Sequence, residues 1–246
     1  MSRKFKGPPV FAVIDVETTG KTLSPETQIV EVAASLFRGE EYLGSFSSLV
    51  NPGIHIPASA SGIHHIVDEM VAEAPSRDDA IRSLCEYIAP AWALVAHNAA
   101  FDSHFIPELA DRMWICTWRL TRHLWPSADD HKNQTLRYWL GVADPFIQGQ
   151  ETHRADADTR VTGAILARAI REYRNRFGEV TLGALKRLAD SPIPMETMPR
   201  GNERSRGKRF EELTKRDLMY WLGRDDVDAD LRWNLERAMA ARSQAS

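Results

Sequence analysis

Two cysteines in 246 residues, Cys85 and Cys116, are too few for a disulfide framework or a zinc cluster. No apolar run approaches the roughly 18 residues that a membrane helix needs, and no signal-peptide core follows the basic start MSRKFKGPPV. Charge of one sign is not in excess either. With 31 basic and 34 acidic side chains the formal net charge is −3, which excludes a role resting on bulk positive charge and leaves only a local basic groove open. Repeats and low-complexity tracts are absent, and 43% hydrophobic with 26% charged residues rules out disordered and fibrous classes. What is expected is a soluble protein of a reducing compartment, cytoplasmic and without a membrane partner. The length suits one large domain, or one ordinary domain with a small appendage.

The β-branched run Val10–Val16, between Pro8-Pro9 and Thr18-Thr19-Gly20, reads as a buried strand. Ile29–Phe37 and Tyr42–Val50 read as two more, joined by the polar turn Arg38-Gly39-Glu40-Glu41 as a hairpin. Ala80, Ile81, Leu84, Tyr87 and Ile88 then recur at helical spacing. Trp92–Ala96 and Trp114–Thr117 are short strand candidates; Phe101–Asp111, Gln134–Leu140 and Ala155–Tyr173 are helix candidates. Three strands followed by alternating helices and strands predict an α/β fold, a mixed sheet flanked by helices. A boundary is expected between Tyr173 and Pro199, where Asp190-Ser191-Pro192-Ile193-Pro194 breaks the helical pattern of Leu182–Ala189. The predicted division is a domain over 1–175, a linker over 176–197 and a small module over 198–246. The segment Arg200–Arg216 has seven basic and three acidic side chains, net +4, so the rest of the chain carries −7. Leu218–Leu222 and Leu231–Ala240 read as two short helices beyond it.

Three carboxylate clusters stand at element ends. Asp15 and Glu17, two apart on the first strand, face the same side, and two like charges that close call for a positive counter-charge. A hard divalent cation such as Mg²⁺ prefers such oxygen ligands. Asp102, in His97-Asn98-Ala99-Ala100-Phe101-Asp102, falls at the start of the next helix. Asp156 and Asp158, in His153-Arg154-Ala155-Asp156-Ala157-Asp158, open the long helix, with His153 just outside it as a candidate general base. Taken singly, each has a bland explanation: a solvated strand end, a favourable first-turn acid, an exposed loop histidine. Together they fall where an open α/β sheet gathers its ligands. Convergent acids without cysteine point to two hard metals, the arrangement that activates a water and steadies a leaving oxygen in phosphoryl transfer.

FAVIDVETTG, HNAAFDSHFI and HRADADTRVTGAILA resemble, in order and separation, the three motifs of the DEDDh 3′→5′ exonucleases, over roughly Val10 to Tyr173. The resemblance implies a ribonuclease H-like fold with a mixed five-stranded sheet. It implies Asp15, Glu17, Asp102 and Asp158 as ligands of two Mg²⁺ or Mn²⁺ ions and His153 as the base. Asp156 is the rival fourth ligand, at a spacing from His153 that does not fit the family. Thr18, His64, Asn98 and Phe101 would line the terminal nucleotide, although His65 stands where relatives carry a glycine after the histidine. The segment WICTWRLTRHLWPSADDHKNQTLRYWLG and the tail resemble the exodeoxyribonuclease X branch, which carries a small C-terminal module. In the tail, Arg204, Arg206, Lys208 and Arg209 are candidates for binding nucleic acid. The implied activity is release of nucleoside 5′-monophosphates from single- or double-stranded 3′ ends of DNA, in repair or end processing. An RNA 3′→5′ exonuclease and a non-catalytic end-binding module are the alternatives.

Overall fold

The computed structural model describes residues 8–142, 154–201 and 205–244. The chain divides after Ala189 into two units, each with its own apolar core.

In the first unit five strands, β1 (Val10–Thr18), β2 (Ile29–Arg38), β3 (Glu41–Leu49), β4 (Ala93–Ala96) and β5 (Trp114–Cys116), form one sheet in the order β3-β2-β1-β4-β5. β1, β2 and β3 pair antiparallel, with Gly39 at φ +64° in the hairpin turn, while β4 and β5 run parallel to β1. This is the mixed five-stranded sheet that the sequence led us to expect. Every residue of β2 but Arg38 is buried, as befits a strand covered on both faces.

Eight helices of this unit lie within the described residues: α1 (Ala58–His64), α2 (Asp68–Val71), α3 (Arg77–Tyr87), α4 (Ala99–Phe105), α5 (Thr117–Leu124), α6 (Asn133–Trp139), α7 (Ala155–Phe177) and α8 (Leu182–Asp190). The pleat of β1 sorts them. Val10, Ala12, Ile14 and Val16 pack with Ile81 and Leu84 of α3 and Phe105 of α4 on one face. Phe11 and Val13 pack with Leu120 of α5, Leu166 of α7 and Leu185 of α8 on the other. The helix predicted over Phe101–Asp111 instead stops at Phe105, two residues before Pro107, and a single 3₁₀ turn follows. A proline disfavours the helical conformation in the residue before it.

The stretch 176–197 is not the linker expected. Its first part completes α7 and forms α8, whose Leu185 and Ala189 are buried in the sheet core. The helical periodicity of Leu182–Ala189 reflects that burial. In the second unit, α9 (Lys215–Leu222) and α10 (Ala229–Gln244) enclose Met198, Phe210, Leu218, Trp221, Leu231 and Leu235. Its leading segment is clipped to α10 by Ile193 N–H donating to Asp230 Oδ1 and Met195 N–H to Asn234 Oδ1, both at 2.9 Å.

Candidate active site

Asp15 and Glu17 continue the Phe11–Val13 row of β1, and this row faces α7. β4 pairs with β1 only as far as Val13, so the acids lie on the part of β1 that outruns its parallel neighbour. On β2 the residues directly opposite the row are Glu31, Ala33, Ser35 and Phe37. Three of these fix α7 at every fourth residue: Glu31 accepts the Ala155 N–H at 3.0 Å, Ser35 Oγ lies 2.7 Å from Thr159 Oγ1, and Phe37 lies against Gly163. Asp158, in the first turn of α7, is thereby brought over β1. One carboxylate oxygen each from Asp15, Glu17 and Asp158 fall within 4.8 Å of one another. Gln134 of α6 donates to Asp158 Oδ1 at 2.7 Å.

Asp102 reaches the same strand from α4. Its Oδ1 accepts the Val16 N–H at 3.2 Å, a backbone donor beyond the reach of β4, and the residue is buried. Asn98 precedes α4 in the left-handed region, φ 85°, a conformation that asparagine tolerates better than most residues. Its carbonyl accepts the Phe101 N–H at 2.8 Å, which turns the chain so that Asp102 falls one turn into the helix.

The cluster is short of positive charge. Burial pushes the Asp15 carboxyl well above the usual range, and Asp102, Glu17, Asp158 and Glu31 add to it. Burial raises Glu17 to about 8, helped by Asp158, Glu31 and Asp102 and opposed by Arg154. Asp102 is raised to about 7 by burial, with the Val16 N–H among the groups pulling it back. Carboxylates that burial and their neighbours push above the usual range, and that supply only hard oxygen donors, fit Mg²⁺ or Mn²⁺. Asp156, the rival, instead pairs with Arg160 on its own helix at 2.6 Å.

Thr18 is buried at the end of β1, and its hydroxyl donates to the Gly20 carbonyl at 2.5 Å. His64 is buried at the end of α1, its Nδ1 accepting the Ile66 N–H at 3.0 Å; the ring therefore carries its proton on Nε2, and burial lowers its pKa. His65 takes the left-handed conformation, φ 61°, the region that glycine adopts most readily. Phe101 is half-buried against Phe105. His153 and Arg204 lie outside the described residues. Arg206, Lys208 and Arg209 are exposed in the second unit, flanking the Thr197–Arg209 bridge.

Sequence reasoning missed Glu31, Arg154, Asn133 and Gln134. Asn133 donates to Thr162 Oγ1 at 2.7 Å and so ties α6 to α7. The available signal for Glu31 was a charge inside an otherwise apolar strand.

A mixed sheet with carboxylates from β1, α4 and α7 converging beyond the end of β4 defines a ribonuclease H-like nuclease site. The exonuclease family RNase T matches residues 12–166, and the chain belongs to that metal-dependent family. Exodeoxyribonuclease 10 of Escherichia coli K12 is 33% identical over 231 residues, covering 92% of this chain and 97% of the relative. The solved structure of exonuclease X in complex with 5′ overhanging duplex DNA matches with a TM-score of 0.60 and 30% identity, over 73% of this chain and 99% of that one. The nuclease domain of 3′hExo, a DEDDh member bound to rAMP, shares the fold with a TM-score of 0.56 at 15% identity, over 68% of this chain and 94% of that one. Among the described residues no helix is long and apolar enough to cross a membrane.

Proposed function

We propose that this exonuclease removes nucleoside 5′-monophosphates from 3′ ends of DNA in the cytoplasm, in repair or end processing. The observation that carries the reading is the convergence of Asp15, Glu17 and Asp158, with Asp102 bound to the same strand. Supporting DNA over RNA is the extent of the likeness to a relative named exodeoxyribonuclease, which spans both units. Asp15, Glu17, Asp102 and Asp158 would hold two Mg²⁺ or Mn²⁺ ions. Such ions supply Lewis-acid stabilisation of charge on a phosphate and on the oxygen that departs from it.

The chain's own residues do the rest. His153, five positions before Asp158, accepts the proton of the attacking water. Gln134 orients Asp158 by donating to Oδ1, and the Val16 N–H orients Asp102. Thr18, His64, Asn98 and Phe101 line the terminal nucleotide. In the second unit, Arg206, Lys208 and Arg209, with Arg204, contribute affinity for the phosphate backbone without entering the chemistry.

The test is purified protein with Mg²⁺ on matched DNA and RNA, single- and double-stranded, labelled at either end. The expected result is mononucleotide release from the 3′ end of DNA, stopped by EDTA and by Asp15→Asn, and lowered by about 10²–10⁴-fold in His153→Ala. Preferential release from RNA would favour the RNA exonuclease. Binding of ends without release, equal in wild type and Asp15→Asn, would favour the end-binding module.

A further inference from the structure

Glu31 stands directly opposite Glu17 in the antiparallel β1–β2 pair, and it is almost completely buried. Like charges in directly opposed positions destabilise a sheet. A second acid here would be unfavourable without a dedicated partner, and the structure shows one. Oε2 accepts Arg154 Nε at 3.1 Å and the Ala155 N–H at 3.0 Å; Oε1 accepts Arg154 Nη2 at 2.7 Å. Both oxygens therefore accept from the start of α7, in a fork-shaped, charge-assisted contact, and Oε1 also accepts the Ser47 hydroxyl at 3.4 Å.

The first N–H groups of a helix have no acceptor within it, and Arg154, at the N-cap, makes no side-chain cap. Glu31 provides the cap from a strand 124 residues away, and its negative charge also suits the helix N-terminus. Glu31 is not one of the three carboxylates whose oxygens cluster. It is the outermost of the three contacts from β2 to α7, at Ala155, Thr159 and Gly163, and the one nearest the acids.

We propose that Glu31 and Arg154 are a positioning pair: together they fix the start of α7 over β1, and so hold Asp158 where the reaction needs it. Asp158 lies three residues after Ala155, so a slack helix start would displace its carboxylate. Both residues act through α7 and neither touches the substrate. The proposal rests on the nuclease reading for its kinetic consequence but not for its structural one.

Three full-length variants test it: Glu31→Gln, which keeps shape and loses charge; Arg154→Lys, which keeps charge and loses the fork; and the double variant. Mass-spectrometric amide exchange should show faster exchange in the peptide that begins α7, while β1 and β4 stay protected. Displacement of this order costs about a hundredfold in kcat, with KM for the oligonucleotide little changed. The double variant should be no worse than the poorer single one, because both remove one contact. Calorimetric titration with Mn²⁺ separates this role from that of a fifth ligand. A positioning pair weakens Mn²⁺ binding in both single variants, whereas a direct ligand would give loss in Glu31→Gln and none in Arg154→Lys. Unchanged exchange at α7 in both variants, or that split in Mn²⁺ binding, overturns the proposal. If Glu31→Gln does not fold, Arg154→Lys carries the same exchange and Mn²⁺ measurements. Should the wild type show no nuclease activity, the functional reading fails, and the exchange data still decide the clamp.

Discussion

Glu17→Gln should stabilise the metal-free protein and destabilise the metal-loaded one, with the crossover controlled by pH. In the metal-free fold Glu17 titrates at about 8 against an ordinary 4.5, because it is buried and faces Asp158, Glu31 and Asp102. A carboxyl raised on folding binds its proton more tightly in the native state, so its contribution to stability is full below the unfolded pKa and is lost as pH rises towards 8. The whole shift corresponds to a ceiling of about 5 kcal/mol above pH 8. Asp15 and Asp102 are raised as well, and Glu17 is itself partly open to water; about 1–2 kcal/mol is the share expected from one substitution. Glutamine mimics the protonated acid and does not titrate. Thermal unfolding in EDTA should give nearly equal midpoints for variant and wild type at pH 4.5. By pH 8 the variant should gain roughly 2–8 °C. Saturating Mg²⁺ should reverse the order, because only the wild type offers the full set of ligands, and its stabilisation by Mg²⁺ should grow with pH as the ligands lose their protons. Parallel midpoints across this range in EDTA, or equal stabilisation of both proteins by Mg²⁺, would refute the reasoning.

Three further outcomes are expected. Asp158→Asn should cut turnover by orders of magnitude while Asp156→Asn, whose carboxylate pairs with Arg160 in the first turns of α7, changes it by a small factor; steady-state kinetics on one oligonucleotide decides. Gly163→Ala would put a Cβ 2.1 Å from Phe37 Cε2, an overlap that should cost about 1–3 kcal/mol despite alanine's better helix propensity. A lowered urea midpoint, recovered in part by adding Phe37→Leu, would show it. Changing Arg206, Lys208 and Arg209 together to alanine should leave kcat alone and flatten the slope of log affinity against log salt by roughly 2 to 3. An unaltered slope in fluorescence anisotropy would remove these side chains from the interface.

The sheet was legible in the sequence because β1 and β2 are β-branched apolar runs, and the carboxylates because they end a strand or begin a helix. Short helices were harder to see. α5 follows β5 without a turn, beginning at Thr117 where the strand pattern was still being read, and α1 has too few apolar positions to show a period. The extent of α4 was overestimated because Ile106 and Leu109 continue a helical spacing through a 3₁₀ turn. The four acids were found from local motifs. Glu31 was not, because its partner lies 123 residues away and no local pattern links a strand charge to a helix start. The same holds for Gln134, whose role depends on how α6 packs on α7.

The bond from the Val16 N–H to Asp102 affects how an inactive protein for trapping substrate should be made. Asp102→Ala would remove a candidate metal ligand and also strand a buried backbone donor on the central strand, so loss of binding in that protein would have two causes that no assay could part. Asp102→Asn keeps an acceptor but also introduces donors, and the amide can turn the wrong group towards Val16. Asp15 carries no such second duty in the hydrogen-bonding pattern described here. Asp15→Asn is accordingly the variant of choice for holding a strand end in place for crystallisation or cross-linking, with the architecture of β1 left as it is.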